Sequence, residues 1–378
     1  MKKIGLVTAY RIDNYGTKLQ AYAMQELISM LGCETEIVDY IPAYDKRPDV
    51  VIKKAAAKVK KKAASASDAA KKIPEDAALL RHKAINSFDS FYKRSGEIHG
   101  YANLKKTVEN YDGFVCGSDQ IWAGGNLITD YFNLKFVGRR RPTVAYAPSF
   151  GTSSVPDNMK EKYKSFLSAI DCLSVREDSG AKLIKELTGR DADVVADPTI
   201  LAGREVWDKL AGDIGDGATD YVFCYFLGEN PGHRKWAELT AAKYGCKIVI
   251  LPHMKRFVQA DEDLEAEKLY DVSPIRFIEL IRDAKFVLTD SFHGTVFSLL
   301  YRKEFYTFER FISGSRESTN TRIYSLLETV NLTDRIVTDE RQLTFGEIDY
   351  ASADILLESS RAFSMDYLKG SFEKSGWL

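Results

Sequence analysis

The stretch Lys285–Lys303, KFVLTDSFHGTVFSLLYRK, decides the fold of this chain. Its apolar run FVL is typical of a buried strand, the polar TDS supplies helix N-caps, and the apolar residues that follow recur at helical spacing. The stretch therefore predicts a strand, a turn and a helix, with His293 in the helix's first turn. In an open α/β sheet, ligands bind where strand ends meet helix N-termini, because unpaired N–H groups favour anions there. A histidine at that point can move a proton near neutral pH, so His293 is the candidate general acid/base.

Alternating strands and helices continue on both sides of this stretch. A strand over 4–9, a helix over 17–31 and a strand over 34–40 form a βαβ opening without a GxGxxG fingerprint. A Gly- and Asp-rich segment over 208–219 is the best linker, and the βα alternation restarts after it. The pattern predicts an α/β, GT-B-like fold of two doubly wound, Rossmann-like domains with a cleft between them. We expect the domains at 1–212 and 213–350, with a C-terminal helix in 351–378 packing back on the first domain.

The overall composition limits the class of protein. With 378 residues, two domains are expected, and 45% hydrophobic and 28% charged residues fit a water-soluble globular chain. A net charge of -1 argues against nucleic-acid binding, which needs a positive field. The first residues predict a strand and not a signal peptide, and no apolar run approaches the ~20 residues of a membrane span.

Five scattered cysteines, an odd number with no CxxC pair, predict neither structural zinc nor a disulfide framework. Most lie in apolar runs, where a buried reduced thiol is expected, so the compartment should be the reducing cytoplasm. The histidines show no metal-ligand spacing, and the predicted site holds no metal and no cofactor.

An insertion at about 43–96 interrupts the first domain. Residues 51–72 hold eight lysines among many alanines, which predicts a solvated helical segment. The alternative is peripheral contact through 51–72 with the anionic inner face of a membrane or with a lipid-linked acceptor. An alanine face would bury only weakly in lipid.

Two turns after predicted strands carry polar candidates for substrate binding. In the first, Gly16 permits close backbone approach, and Asn14 can hydrogen-bond a hydroxyl or phosphate or simply cap the helix. In the second are Ser118, Asp119 and Gln120. Asp119 can orient or deprotonate a hydroxyl, which makes it a second catalytic candidate; a capping role is the alternative.

Further candidates lie at two other strand ends. Arg176 closes a strand and opens a helix, so its guanidinium can meet an anion at the helix N-terminus. Its alternative is an ion pair with Glu177, Asp178 or another nearby acid. Asp290 and Ser291 are expected to be caps first, with Asp290 orienting a neighbouring cleft group.

Five motifs, in this order and spread over roughly Met1–Leu332, together resemble the polysaccharide pyruvyl transferase family. They are Asn14-Tyr15-Gly16 followed by Leu19-Gln20-Ala21-Tyr22, Gly117-Ser118-Asp119-Gln120-Ile121-Trp122, Ser174-Val175-Arg176, Asp197-Pro198-Thr199, and Thr289-Asp290-Ser291-Phe292-His293-Gly294. Each motif is weak alone, and the set is specific.

The resemblance implies a GT-B-like transferase of cell-surface polysaccharide synthesis. Characterised members move the enolpyruvyl group of phosphoenolpyruvate onto two hydroxyls of a sugar, forming a cyclic pyruvate ketal and releasing phosphate without a metal. His293 would protonate the donor's methylene carbon, and a glycan or lipid-linked glycan would be the acceptor. Two alternatives stay open: a glycosyltransferase using a sugar nucleotide, since helix N-termini hold a diphosphate equally well, and a non-catalytic glycan-binding relative.

The chain departs from the family close to the histidine. Characterised members place an arginine about two positions before it, where it helps to hold the donor. Here Ser291 and Phe292 precede His293, and the nearest upstream arginine is Arg282, on the preceding helix. The donor's negative charge must therefore be met elsewhere.

A loop over 314–322 offers the replacement. It carries Arg316, Asn320 and Arg322, and it follows the strand after the His293 helix, so it is expected to rim the same cleft. We expect one of these arginines, or Arg310, to bind the donor. A solvated loop with capping residues is the alternative.

Overall fold

The computed structural model describes residues 1–42, 46–48, 50–51, 74–212, 220–254, 257–310, 320–338 and 345–378. Arg316 and the lysine-rich segment 52–72, to which the membrane hypothesis applies, lie outside these residues.

The first half of the chain forms an α/β domain on parallel strands. Its strands are β1 (Lys3–Val7), β2 (Glu34–Ile37), β3 (Tyr40–Ile41), β4 (Ile98–His99), β5 (Gly113–Cys116), β6 (Thr143–Ala145), β7 (Ser174–Val175) and β8 (Asp193–Val194). Its helices are α1 (Tyr15–Met30), α2 (Glu75–Asn86), α3 (Tyr101–Lys106), α4 (Asp157–Leu167), α5 (Asp178–Thr188), α6 (Pro198–Leu201) and α7 (Arg204–Ala211), with 3₁₀ turns at Ser87–Phe91, Thr107–Asn110 and Gly124–Thr129. The main sheet has the order β2–β1–β5–β6, all parallel. A bridge between Val144 and Cys172 leads from β6 towards the β7–β8 pair.

The second half repeats this architecture on a larger sheet. Its strands are β9 (Tyr221–Tyr225), β10 (Lys247–Ile250), β11 (Glu267–Lys268), β12 (Phe286–Thr289), β13 (Glu304–Phe308) and β14 (Ile336–Val337). Its helices are α8 (Pro231–Tyr244), α9 (Gln259–Asp263), α10 (Pro274–Arg282), α11 (Phe292–Leu300), α12 (Thr321–Thr329) and α13 (Tyr350–Lys374), with a 3₁₀ turn at Thr333–Arg335. The strand order is β11–β10–β9–β12–β13–β14, again all parallel. Central strands β9 and β12 are buried along their whole length, as parallel strands covered on both faces must be.

The two domains share one apolar core near the start of α1. Tyr15 stacks on Phe277 of α10 with ring centroids 4.6 Å apart, and Tyr225 meets the same ring edge-on at 5.0 Å. Helix α2 also forms hydrogen bonds to the second domain. The Arg81 guanidinium donates to the carbonyls of Leu269 at 2.6 Å and Tyr270 at 2.8 Å. These contacts fix the strand ends of one domain opposite those of the other.

The C-terminal helix α13 returns to the first domain. The Tyr367 hydroxyl donates to the carbonyl of Ala145 at 3.0 Å, and the Ala196 amide donates to Ser364 Oγ at 2.8 Å. The helix therefore lies against the edge formed by β6 and the end of β8.

The five cysteines are free thiols and most of them are buried, as the apolar runs around them predict. Cys33, Cys116, Cys172 and Cys224 are buried free thiols, and Cys246 is partly buried. Within the described ranges, no group of histidine, cysteine or acidic side chains has the arrangement of a metal site. None of the helices in the described part of the chain combines the length and apolarity that crossing a bilayer requires.

Candidate active site between the two domains

A cavity of about 690 Å³ lies between the two domains. Its walls are residues that follow the carboxyl ends of β1, β5, β9, β10, β12 and β13, together with helix α2 and the start of α12. This is the edge of a parallel sheet at which ligands are expected. The candidates that line it are Asn14, Asp119, Gln120, Ser291, His293 and Arg322, with Arg310 beside them.

His293 lies in the first turn of α11, as the sequence predicts. Ser291 is the N-cap of this helix and accepts a hydrogen bond from the amide of Gly294 at 3.3 Å. The imidazole is buried, and its Nε2 has no hydrogen-bond partner among the described residues; the nearest acid, Asp197, has its Oδ1 3.8 Å away. Burial lowers the pKa of His293 to about 4, although the Asp197 carboxylate acts in the opposite direction. The ring is therefore a neutral, unsatisfied group on the cavity wall.

Gly16 holds the reverse side of the same imidazole. A Cβ placed on Gly16 would lie 1.9 Å from His293 Nδ1, so only glycine leaves room for the ring. The close approach predicted at Gly16 is thus made by His293 from the other domain. The neighbouring Asn14 caps α1, because its side chain accepts from the Thr17 amide at 3.1 Å.

Arg176 lies behind the cavity and does not line it, contrary to the predicted contact with a donor anion. Its Nη1 donates to Asp197 at 2.7 Å and its Nη2 to Asp119 at 3.2 Å. The alternative of an ion pair is what the structure shows, with partners mainly from other strand ends; Glu177 reaches only 4.0 Å. Arg176 therefore positions two carboxylates around the histidine.

Asp119 lines the cavity with both carboxylate oxygens occupied. Oδ1 accepts from Arg176, and Oδ2 accepts from the Thr17 hydroxyl at 2.7 Å. Burial alone would raise its pKa, but the Arg176 guanidinium, with His293, lowers it to about 2. A carboxylate this acidic can orient a hydroxyl but is a weak base at neutral pH.

Asp197, which is not among the predicted catalytic or binding residues, contributes to the site. Its Oδ1 accepts from the amide of Thr199 at 3.0 Å and from the Thr199 hydroxyl at 2.7 Å, and its Oδ2 accepts from the Ser118 hydroxyl at 3.0 Å. Burial alone would raise the pKa of this carboxyl, but His293, Arg176 and the two hydrogen bonds from Thr199 hold it below its usual range. The motif Asp197-Pro198-Thr199 was the available signal.

Ser118 and Asp290 are buried and do not line the cavity, so direct substrate contact is not what their positions support. The Ser118 hydroxyl lies within hydrogen-bond distance of two acceptors, the carboxylate of Asp197 and the carbonyl of Ala147 at 2.9 Å. Asp290 accepts from the amides of Leu227 at 2.6 Å and Gly228 at 2.7 Å. The expected capping role of Asp290 is thus replaced by a link between the ends of β9 and β12.

The arginines after β13 supply positive charge at the cavity. Arg322 and Arg310 line it, and Arg310 donates to the carbonyl of Asp290 at 2.8 Å. Burial, followed by Arg176, lowers the pKa of Arg322 to about 9. Asn320 is buried at the start of α12 and does not line the cavity.

Phe292, at the position before the histidine, is packed between cations. The guanidinium carbon of Arg176 lies 4.5 Å from its ring centroid, and that of Arg322 lies 5.7 Å away. Phe292 therefore makes cation–π contacts with both arginines, and positive charge lies beside this position although the residue itself is apolar.

These features define a two-domain, GT-B-like α/β protein with a buried histidine in its interdomain cleft. Residues 14–310 match the family model for polysaccharide pyruvyl transferase, and the chain belongs to that family. The family predicted from the five motifs is confirmed.

Several solved structures are similar to this chain. A co-structure of Staphylococcus aureus MnaA with UDP matches with a TM-score of 0.50 and 11% identity over 89% of this chain and 84% of that one. UDP-GlcNAc 2-epimerase from Neisseria meningitidis bound to UDP-GlcNAc has a TM-score of 0.49 and 11% identity over 95% and 99% of the two chains. Escherichia coli heptosyltransferase WaaC has a TM-score of 0.39 and 10% identity over 87% and 99%. The first of these supports the GT-B-like fold predicted from the sequence. A comparison with curated protein sequences finds no match.

Proposed function

We propose that this protein transfers the enolpyruvyl group of phosphoenolpyruvate to two hydroxyls of a glycan, forming a pyruvate ketal. The observation that carries the proposal is the buried imidazole of His293, whose Nε2 meets no hydrogen-bond partner among the described residues and lies at a cavity lined by both domains. A buried polar atom without a partner is costly, and a ligand that supplies the partner recovers that cost on binding. Membership in the family supplies the reaction class.

The charge of the donor makes His293 an acid. In the unliganded protein the imidazole is neutral at pH 7, because burial lowers its pKa to about 4. The phosphate and carboxylate of phosphoenolpyruvate would bring negative charge beside the ring, which favours the imidazolium and raises its pKa. Donor binding would thus favour protonation of His293, which then delivers this proton to the methylene carbon. General acid catalysis of this kind contributes ~10²–10⁴-fold to the rate.

Arg322 and Arg310 are the donor-binding groups in this proposal, taking the place of an arginine next to the histidine. Both line the cavity. Burial lowers the pKa of Arg322 to about 9, so an anion at the cavity would stabilise its charged form. Arg176 acts indirectly, through Asp119, Asp197 and the Phe292 ring.

The reaction is balanced by the acceptor's own protons. The first acceptor oxygen bonds to C2 of the donor as C3 gains a proton and becomes a methyl group. The C2–O bond to phosphate then breaks, and the second acceptor oxygen takes its place. Of the two hydroxyl protons released, one replaces the proton given to C3 and the other leaves with phosphate. The scheme uses no metal and no cofactor.

We further propose that the acceptor is a glycan, free or lipid-linked, and that the enzyme acts in the cytoplasm, including at the inner face of the membrane. The family is named for the transfer of pyruvyl groups to polysaccharides, and a cleft between two domains suits a sugar acceptor.

Phosphate release from phosphoenolpyruvate, measured across a panel of glycans, tests the proposal. We expect release with at least one glycan, and a loss of ~10²-fold or more in His293→Gln and His293→Ala proteins that unfold at the wild-type temperature. Full turnover in both variants would remove His293 from the mechanism. Thermal shifts with phosphoenolpyruvate and with nucleotide sugars, run in parallel, separate the alternatives. Stabilisation by a nucleotide sugar alone would favour a glycosyltransferase, and stabilisation by neither would favour a non-catalytic glycan-binding protein.

A further inference from the structure

A second histidine faces the cavity from its mouth. His82, on helix α2, and Asp13, in the turn after β1, both line the cavity, and their side chains are 58% and 44% exposed. His82 Nδ1 lies 2.7 Å from Asp13 Oδ2. His293, by contrast, is only 8% exposed at the cavity wall. The two histidines therefore line one cavity, His82 at an exposed position and His293 at a buried one.

Hydrogen-bond donors around Asp13 fix the tautomer of His82. The amide nitrogen of Asn86 has two hydrogens, and its shortest contacts are Asp13 Oδ1 at 2.7 Å and the His82 carbonyl at 2.8 Å. Both hydrogens are thus used, and His82 Nδ1 is left to donate its own hydrogen to Asp13 Oδ2. The lone pair on Nε2 then points away from Asp13, as a base requires.

A buried lysine fixes the orientation of that amide. Lys18 is fully buried, and its ammonium donates to Asn86 Oδ1 at 2.8 Å and to Asp89 at 2.5 Å. Because an ammonium only donates, Asn86 must present its oxygen to Lys18 and its NH₂ to Asp13. Donation therefore runs from Lys18 to Asn86 and from Asn86 to Asp13, and Asp13 also accepts from His82 Nδ1 at the cavity.

We propose that His82 is the base that removes a proton from an acceptor hydroxyl at the cavity mouth, and that Asp13 and Asn86 are its positioning residues. The inference rests on the proposed pyruvyl transfer, in which two hydroxyls must each lose a proton. His293 can take up one proton after giving its own to the donor. Asp119 does not suit the second, since its carboxylate is ion-paired with Arg176 and also accepts from Thr17, which makes it a weak base.

The proposed step is a simple proton transfer coupled to C–O bond formation. The acceptor O–H bond breaks, its proton moves to Nε2 of His82, and the oxygen's electron pair forms the bond to C2 of the donor, while the C2–C3 π electrons bind the proton that His293 delivers to C3. The imidazolium, stabilised by the Asp13 carboxylate, then releases the proton to solvent at the open mouth. No other reactant is needed.

Charged and titratable groups surround His82 on several elements. They include Asp13 from the β1–α1 turn, Lys18 behind Asn86, Arg81 on its own helix, and His253, which lines the same cavity after β10. The pH profile of a His82 variant must therefore be compared with that of a control variant in which His82 and all of these neighbouring residues are unchanged.

The test compares His82→Gln, Asp13→Asn and the matched control His99→Gln. His99 also pairs with a carboxylate, Glu97 at 3.1 Å, and is 46% exposed, but it does not line the cavity. We expect kcat to fall ~10²-fold or more in His82→Gln, with the acidic limb of the kcat profile lost, and to fall by a smaller factor in Asp13→Asn. In all three proteins, the thermal unfolding temperature and the thermal shift caused by phosphoenolpyruvate should be the same as in wild type.

Two results would overturn the inference while leaving the proposed function intact. One is a His82→Gln enzyme with wild-type kcat and pH profile. The other is a higher KM for the glycan at unchanged kcat, which would make His82 a hydrogen-bonding contact and not a base. Absence of phosphate release by the wild-type protein with every glycan would instead overturn the proposed function itself.

Discussion

The imidazole of His293 rests on the backbone of Gly16, so closely that a Cβ at position 16 would lie 1.9 Å from its Nδ1. Gly16 is the second residue of α1 in the first domain, and His293 is in the first turn of α11 in the second. The two domains thus position this ring at the cavity wall together, and its place depends on a glycine that does not itself line the cavity.

Replacing Gly16 with alanine should displace His293. The new methyl group cannot fit without moving the ring, and overpacking of this kind costs roughly 1–3 kcal/mol of unfolding free energy. A misplacement of ~1 Å can lower a rate ~10²-fold, so we expect kcat for phosphate release to fall by that order. Denaturant unfolding and steady-state kinetics measure the two effects.

Gly370 provides the matched control, because it also lies within a helix and a Cβ there would meet nothing within 4 Å. Gly370→Ala should stabilise the protein by roughly 0.5–1 kcal/mol through helix propensity and leave turnover unchanged. Equal activity of the Gly16 and Gly370 variants would show that the ring tolerates displacement.

Arg176 should be far more important for stability than an exposed arginine. It is buried and donates to Asp197 and Asp119 at 2.7 and 3.2 Å, so Arg176→Met would leave the buried Asp197 and the partly buried Asp119 without their counter-charge. We expect a loss of ~3–5 kcal/mol in unfolding free energy. Arg276→Met is the control, since Arg276 pairs with Glu279 at 2.8 Å on the surface and should contribute less than about 1 kcal/mol. Similar losses in the two variants would contradict the buried network.

Local pattern was sufficient to predict the elements that form the site. The opening stretch folds as β12 (Phe286–Thr289) and α11 (Phe292–Leu300), because an apolar run, a capping Ser291 and helical spacing are all local signals. Strands β11 and β14 have two residues each and were missed. They exist only because β10 and β13 offer free edges to pair with, and no short sequence window contains that information.

The orientations of the site side chains were harder to predict from the sequence than the positions of the strands and helices. Placing Arg176 at a strand end was right, but the same backbone position suits a side chain in the cavity or one turned to Asp197, which is 21 residues away in sequence. His82 was missed for a similar reason. Its partner Asp13 is 69 residues away and reaches it only because the insertion returns α2 to the β1–α1 turn.

Acid should destabilise the protein partly through His293. Burial lowers its pKa to about 4, whereas in the unfolded chain it titrates near its ordinary value of 6.5. Between these values the unfolded state binds the additional proton, so unfolding free energy falls as pH drops from about 6.5 to about 4, by up to about 3 kcal/mol from this residue. His233, buried against Phe308, has its pKa lowered to about 4 by the same cause and should add to the fall.

Denaturant unfolding at pH 7, 6, 5 and 4.5 measures this contribution. His293→Gln should show a shallower fall with pH than wild type, while His99→Gln, at an exposed site, should follow wild type. A His293→Gln protein whose stability falls as steeply as wild type would mean that the ring is protonated in the folded state above pH 6.

Arg322 should determine affinity for the donor more than the rate of the chemical step. It lines the cavity, and burial lowers its pKa to about 9, so a bound dianion would stabilise the guanidinium and gain a charge-assisted hydrogen bond. Such bonds contribute ~1.5–3 kcal/mol, which corresponds to a ~10–10²-fold rise in KM for phosphoenolpyruvate in Arg322→Gln. Arg335→Lys is the control, because Arg335 is also buried but pairs with Glu304 at 3.3 Å away from the cavity. If Arg322→Gln binds phosphoenolpyruvate as tightly as wild type by thermal shift, the donor's phosphate lies elsewhere, and Arg310 becomes the residue to replace next.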